Sequence, residues 1–204
     1  MRSSKCGIVP VIVCLGVWIP LQAAPITYYC EQQYDLPIPA TPGATVGWMD
    51  DAILNVPGHL AIADLDVTIT LTHTSDFDLR IYLQSPAGTR VVLNAYDAFT
   101  AYFAGANYDH TIFDDEATVS IQSGTAPFTG RFRPLSALSA FDGQDAYGPW
   151  RLQIYDAFYA NTGELQTFGL FITVPTVPAP AALTLALIGW GLVLRLRHRR
   201  QANA

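Results

Sequence analysis

The chain has 204 residues, half of them hydrophobic and only 14% charged, with 14 Pro and 15 Gly. That composition excludes a disordered acidic chain, a coiled coil and a collagen-like repeat, and the length suits one domain with attachments. Six of the 11 basic residues lie at the two ends, so the body between them sets five arginines against all 17 acids, a net charge of −12 with no lysine, which disfavours nucleic acid as a partner.

Residues 1–23 have the layout of a secretory signal peptide. Arg2 and Lys5 precede an apolar stretch from Gly7 to Leu21, and small residues follow at Ala23 and Ala24. Cleavage after Ala23 is expected, because cutting after Ala24 would place Pro25 next to the cut. Cys6 and Cys14 then leave with the leader. Cys30 remains without an intramolecular partner, in a poorly ordered N-terminal segment, as a free thiol or an intermolecular pair.

Residues 24–59 are expected to hold an N-terminal segment and the first strands. From Ile62 the chain alternates with period two: Leu65, Val67, Ile69 and Leu71 on one parity, Asp66, Thr68, Thr70 and Thr72 on the other. Leu79, Ile81 and Leu83 alternate with Arg80, Tyr82 and Gln84 up to the Ser85-Pro86-Ala87-Gly88 turn, after which Arg90 to Leu93 returns as a hairpin partner. Strands are also expected over Ala117 to Ile121, over Trp150 to Tyr155 and over Leu165 to Val174. Sustained helical spacing is absent from the body, so the fold class is all-β, with two packed antiparallel sheets.

His73-Thr74-Ser75-Asp76-Phe77-Asp78-Leu79, Leu83-Gln84-Ser85-Pro86-Ala87-Gly88-Thr89, Gly148-Pro149-Trp150-Arg151-Leu152 with Asp156, and Gly163-Glu164-Leu165 with Phe168 and Leu170 occur in order. Together they resemble the P domain, or Homo B domain, that follows the catalytic domain in kexin- and furin-like proprotein convertases. Phe168 stands where a tryptophan is usual and Pro149 where threonine is common. The resemblance covers most of 60–174 and implies a jelly-roll β-sandwich, often associated with calcium. It also implies a domain that supports a protease neighbour and hydrolyses nothing itself.

Subtilisin-like catalysis needs an Asp, a His and a Ser brought together. The body offers Ser123 with His59, His73 and His110, but nothing around Ser123 resembles such a nucleophile, and the P-domain-like body leaves no room for a protease domain. A non-enzyme is expected. His73 and Asp78 read either as an acid-base pair or as the ties of a charged loop, the latter being the simpler account. Asp76, Asp78, Asp109, Asp114, Asp115 and Asp145 are the candidate calcium ligands, since calcium takes six to eight hard oxygens and sandwich loops can pool carboxylates. A solvated acidic face stays open beside that reading. Zinc is disfavoured, because the body histidines lack close ligand spacing. Tyr96, Phe99, Tyr102 and Tyr108, on an expected long connection, are candidates for stacking on sugars, with covering the core as the alternative.

Beyond the body, 175–204 opens on a proline-stiffened spacer and continues with an uncharged 14-residue run from Ala181 to Leu194. As a helix that run would reach ~21 Å against a hydrocarbon core of ~30 Å, and inclusion of residues to 196 lengthens it. The arginines that follow, Arg195 to Arg200, should stay cytoplasmic. This tail resembles the PEP-CTERM sorting signal of exopolysaccharide-producing bacteria, with Val177, Pro178, Ala179 and Pro180 as its box and alanine in the usual place of glutamate. The resemblance implies transient anchoring in the membrane and cutting by an exosortase.

The whole reads as an exported, non-catalytic component of the cell envelope or extracellular matrix, with a structural or binding role and calcium as its expected ion. A carbohydrate-binding module, or an accessory of a subtilisin-like protease acting in trans, are the alternatives. Polysaccharide or a protease are the corresponding partners.

Overall fold

A computed structural model describes residues 4–9, 25–95 and 105–175. The chain divides into two units, Met1–Pro10 with Ile26–Pro175, and Val11–Pro25 with Thr176–Ala204. All the strands described below lie in the first. They are β1 (Lys5–Val9), β2 (Ile26–Ile38), β3 (Gly47–Trp48), β4 (Ala52–Val56), β5 (Asp64–His73), β6 (Leu79–Gln84), β7 (Arg90–Asn94), β8 (Tyr108–Phe113), β9 (Phe128–Phe132), β10 (Gly148–Asp156) and β11 (Gly163–Val174).

These strands make two sheets, one ordered β1-β2-β11-β5-β8-β9 and one ordered β3-β10-β6-β7, with β4 also paired to β10. Alternation explains which residues lie between them. Leu65, Val67, Ile69 and Leu71 of β5, Leu79, Ile81 and Leu83 of β6, and Trp150, Leu152 and Ile154 of β10 are all buried in one core. On β11 the inward set is Leu165, then Phe168, Leu170 and Ile172. The change of parity is produced by a bulge between Leu165 and Thr167, where the register to both β2 and β5 shifts. Fully burying side chains of this size contributes about 1.5–3 kcal/mol each before the entropy cost of ordering them.

Trp150 anchors the centre of the second sheet. Its indole N–H donates to the Ala146 carbonyl at 2.8 Å, and its ring meets Phe141 edge-on at 5.1 Å. The glycine two residues earlier is required by the backbone: Gly148 has φ +115°, and a Cβ there would lie 3.2 Å from Pro86 Cβ.

The structure corrects three expectations. The segment from Ala117 to Ile121 is not a strand; it passes through a single bridge, Ser120 to Arg133, into a short 3-10 turn at Ile121–Ser123 whose first N–H groups are served by Ser120. The sheets are not wholly antiparallel, because β8 and β9 run parallel, the connection between them crossing over through that turn. Cys30 is not in a poorly ordered segment; it is buried on β2, between β1 and β11. In the full chain, with residues 1–23 in place, Cys30 has a partner. The register of β1 on β2 places Cys6 opposite Cys30, with Cα atoms 4.1 Å apart, and the two form a disulfide. Removal of residues 1–23 would take β1 away and leave Cys30 as a thiol on an uncovered strand edge.

Among the described residues no helix is long and apolar enough to cross a membrane. The expected hydrophobic helix at 181–196 and most of the expected signal peptide lie outside the described residues.

Candidate functional site

Most of the polar residues that carry the sequence resemblance converge at one end of the sandwich, where β5 ends, β6 begins and β10 turns into β11. His73 and Asp156 have fully buried side chains, with His73 Nε2 3.1 Å from Asp156 Oδ2. On its other side His73 Nδ1 lies 2.6 Å from the Ser75 carbonyl oxygen. The Ser75 N–H also points at Nδ1, at 3.3 Å, so the ring is held by contacts on both sides. Burial pushes the Asp156 carboxyl up, opposed by the Phe158 N–H and by His73.

The neighbouring acids are tied in the same way. Asp78 accepts from Ser75 Oγ at 3.0 Å and from Asn161 Nδ2 at 2.7 Å, and Asn161 in turn accepts from Thr74 Oγ1. Asp76 accepts from the Gly105 N–H at 2.8 Å, and burial pushes its carboxyl up against that bond. Gly163 lets β11 pass this close: a Cβ there would lie 2.6 Å from His73 Cδ2 and would overlap the Thr72 carbonyl. With every carboxylate hydrogen-bonded inside the fold, this cluster can hold three loops in place.

A second cluster sits where β5 starts. Asp64, Asp66 and Glu116 each offer a carboxylate oxygen, all within 4.8 Å of one another. Arg131 Nη1 donates to Asp66 Oδ2 at 2.7 Å and to Asp114 Oδ2 at 2.6 Å. Burial pushes Asp66 up to about 6 despite Arg131, with Asp114 and Asp64 adding repulsion. Asp64 is raised by burial and by Asp114 and Asp115, while Glu116 is raised chiefly by its hydrogen bond to Asp114. Burial works against Asp114 too, but its bonds to Arg131 and to the Glu116 N–H hold it below the usual range. One guanidinium thus serves more carboxylates than it can neutralise. Oxygens on opposite sides of a calcium ion lie about 5 Å apart, so the spacing of Asp64, Asp66 and Glu116 fits part of such a shell.

The six acids expected as calcium ligands are therefore not one set. Asp76 and Asp78 belong to the first cluster, and Asp114 to the second. Asp115 accepts from the Leu138 and Ser139 N–H groups, both at 2.9 Å, which holds the 3-10 turn at Leu138–Phe141. Asp109 pairs with exposed His110, and Asp145 with exposed His59, whose ring stacks on Tyr147. The carboxylates that do come within 4.8 Å of one another are those of Asp64, Asp66 and Glu116. Asp64 and Asp66 read as the polar parity of a strand, and their approach to Glu116 depends on the β8–β9 crossover, which no spacing announces.

Of the sugar-stacking candidates, Tyr108 is corrected by the structure. It is fully buried on β8, packed on Phe128 and Phe113, with its hydroxyl accepting from Asn94 Nδ2 at 2.6 Å. Tyr96, Phe99 and Tyr102 lie outside the described residues, as do Val177, Pro178, Ala179 and Pro180. Ser123 is exposed in its 3-10 turn, and none of the three body histidine rings is hydrogen-bonded to a side-chain hydroxyl among the described residues.

Residues 62–172 match the family model of the proprotein convertase P-domain, which covers more than half of the chain. Solved structures with similarity include a serine protease of Aeromonas sobria in complex with a chaperone, at 17% identity, a TM-score of 0.42 and coverage of 85% of this chain and 28% of the other. The serine protease of the same organism also matches, at 18% identity and a TM-score of 0.41, with 84% of this chain and 27% of the other covered. The chain thus spans little more than a quarter of the length of those proteases. No curated protein matches it.

Proposed function

Because the chain belongs to the proprotein convertase P-domain family, we propose that it is an exported, non-catalytic β-sandwich of the cell envelope or extracellular matrix, stabilised by calcium. The observation that carries the non-catalytic reading is the state of the motif residues. His73, Asp76, Asp78 and Asp156 are buried and bonded to the fold, which leaves no imidazole beside an accessible nucleophile in that cluster. Calcium is proposed at Asp64, Asp66 and Glu116 in place of the ligand set expected from sequence. Export rests on the signal-peptide layout of 1–23 and on the tail, whose Val177–Pro180 box and arginine-rich end suit an exosortase and a transient membrane anchor.

The test is fractionation of the native cell with terminal sequencing of the mature chain. A surface or medium form that begins at Ala24 and ends before Ala181 is expected. A mature envelope form that retains Arg195 to Arg200 would replace the sorting signal with a plain anchor, and a cytoplasmic form would remove the envelope role altogether.

A second reading is favoured by the family itself: a module that supports a subtilisin-like serine protease in trans. Co-purification of the chain with such a protease, and loss of that protease's stability on deletion of the chain, would select it.

A further inference from the structure

The outer face of the β3-β10-β6-β7 sheet presents one large side chain from each strand, in a row that crosses the strands. Trp48 of β3, 49% exposed, lies 4.9 Å centroid to centroid from Tyr155 of β10 and 6.0 Å from Tyr82 of β6. Arg90 of β7 closes the row, its guanidinium carbon 3.9 Å from the centre of the Tyr82 ring and 5.7 Å from that of Trp48. Trp48 and Arg90 come from the outermost strands, yet the guanidinium carbon lies only 5.7 Å from the centre of the indole, so the four side chains lean together into one compact cluster.

The charge of this face opposes that of the body. Three of the five body arginines, Arg80, Arg90 and Arg151, point outward from it, although the body as a whole stands at −12. Asp51 engages Arg151 and Gln153, each at 3.1 Å. Arg80 and Arg90 have no ion pair among the described residues. Arg90 is held flat on an aromatic ring, which leaves its N–H edge free to take a carboxylate.

We infer that this row is a binding site for an anionic polysaccharide of uronic-acid type. The C–H face of a pyranose is apolar and slightly positive at its hydrogens, so it packs on the faces of Trp48 and Tyr155. The carboxylate on the same ring supplies the charge that Arg90 and Arg80 lack, in the bidentate manner guanidinium favours. Outward-facing Gln84 and Gln153 flank the row and can bond hydroxyls. A protein partner fits less well, because a stable protein interface needs an apolar centre and about 800 Å² per side, whereas this cluster is a few side chains across and carries cations beside its aromatic rings. The site gives the envelope or matrix component proposed above a ligand and rests on that reading, but it uses none of the calcium-site residues.

The test is calorimetric titration of the full-length chain, with chelator present so that a calcium bridge cannot replace the arginines. Galacturonate oligomers, neutral glucan oligomers of equal length and polyacrylate serve as probes. Galacturonate should bind, more weakly as salt rises, and more tightly than either other probe. Trp48→Ala and Arg90→Gln should each weaken it about tenfold or more, the latter also flattening the salt dependence, with melting unchanged. Equal binding of polyacrylate would reduce the face to a polyelectrolyte patch, and equal binding of the neutral glucan would remove the role of the arginines. Full affinity in Trp48→Ala would overturn the site. So would absence of galacturonate binding, including a result in which the two variants instead disrupt self-association. A chain that fractionates to the envelope and responds to calcium but binds no galacturonate would sink this inference alone.

Discussion

Replacement of Asp66 by Asn should make the protein more stable, not less, near pH 7.5 in the presence of a chelator. Asp66 is 8% exposed, and in the folded chain its carboxyl holds its proton up to about 6, against an ordinary value of 3.8. Between those two values the folded state binds more protons than the unfolded state, so stability falls as pH rises from about 4 to about 6. Above that window the ionised group costs the fold about 3 kcal/mol. The amide carries no charge, and Arg131 keeps its 2.6 Å bond to Asp114. At about 2–4 °C per kcal/mol for a chain of this size, Asp66→Asn should melt about 6–12 °C above the parent near pH 7.5 and level with it near pH 4. Calcium should close the gap. The parent gains about 2.7 kcal/mol at a hundredfold excess over Kd, while the variant lacks a central ligand and gains little. Magnesium should do less for the parent, because it demands tighter octahedral geometry. Thermal melts followed by circular dichroism, across pH and with calcium, magnesium or chelator, read all of this. A variant that melts below the parent in chelator would show that the Asp66–Arg131 bond outweighs burial. Equal calcium gains in both would refute the metal site.

Gly148→Ala should cost about 1–3 kcal/mol in urea unfolding, because alanine must adopt φ +115° against Pro86; an unchanged midpoint would mean that the Gly148 turn is not fixed. Alkylation and mass analysis of the unfolded, unreduced full-length chain should find Cys6 and Cys30 protected. A form cut after Ala23 should carry one reactive thiol at Cys30, and modified Cys30 in the uncut chain would contradict the pairing of β1 with β2.

The sandwich was legible where one sheet face is buried. β6 and β10 alternate cleanly because their inner residues all enter the same core, and the outward Arg80, Tyr82, Arg151 and Tyr155 fall on the opposite parity. β2 was hidden because its sequence, Ile26 to Ile38, mixes Tyr, Glu, Gln and Asp on a strand whose side chains are mostly half-buried. The parity change after Leu165 is the work of a bulge, and the parallel β8–β9 pair depends on a crossover; neither leaves a periodic trace. Of the polar motif, Asp78 could be read as a loop tie from its neighbours. Its bond to Asn161 and the meeting of His73 with Asp156, 83 residues apart in each case, required the fold. The acidic cluster illustrates the same limit, since one-dimensional runs such as Asp114–Glu116 suggest ligands, whereas the oxygens near one another also come from Asp64 and Asp66 on a different strand.

The central claim is that the polar motif holds the end of the sandwich together. A double-mutant cycle in denaturant on His73→Ala, Asp156→Ala and the pair tests it most directly. Each single change should cost about 3–5 kcal/mol, because it leaves the other group buried and unpaired, and the double variant should fall short of the sum of the two by about 1.5–3 kcal/mol. Singles within about 0.5 kcal/mol of the parent would show that these side chains contribute nothing to the fold and would contradict the account.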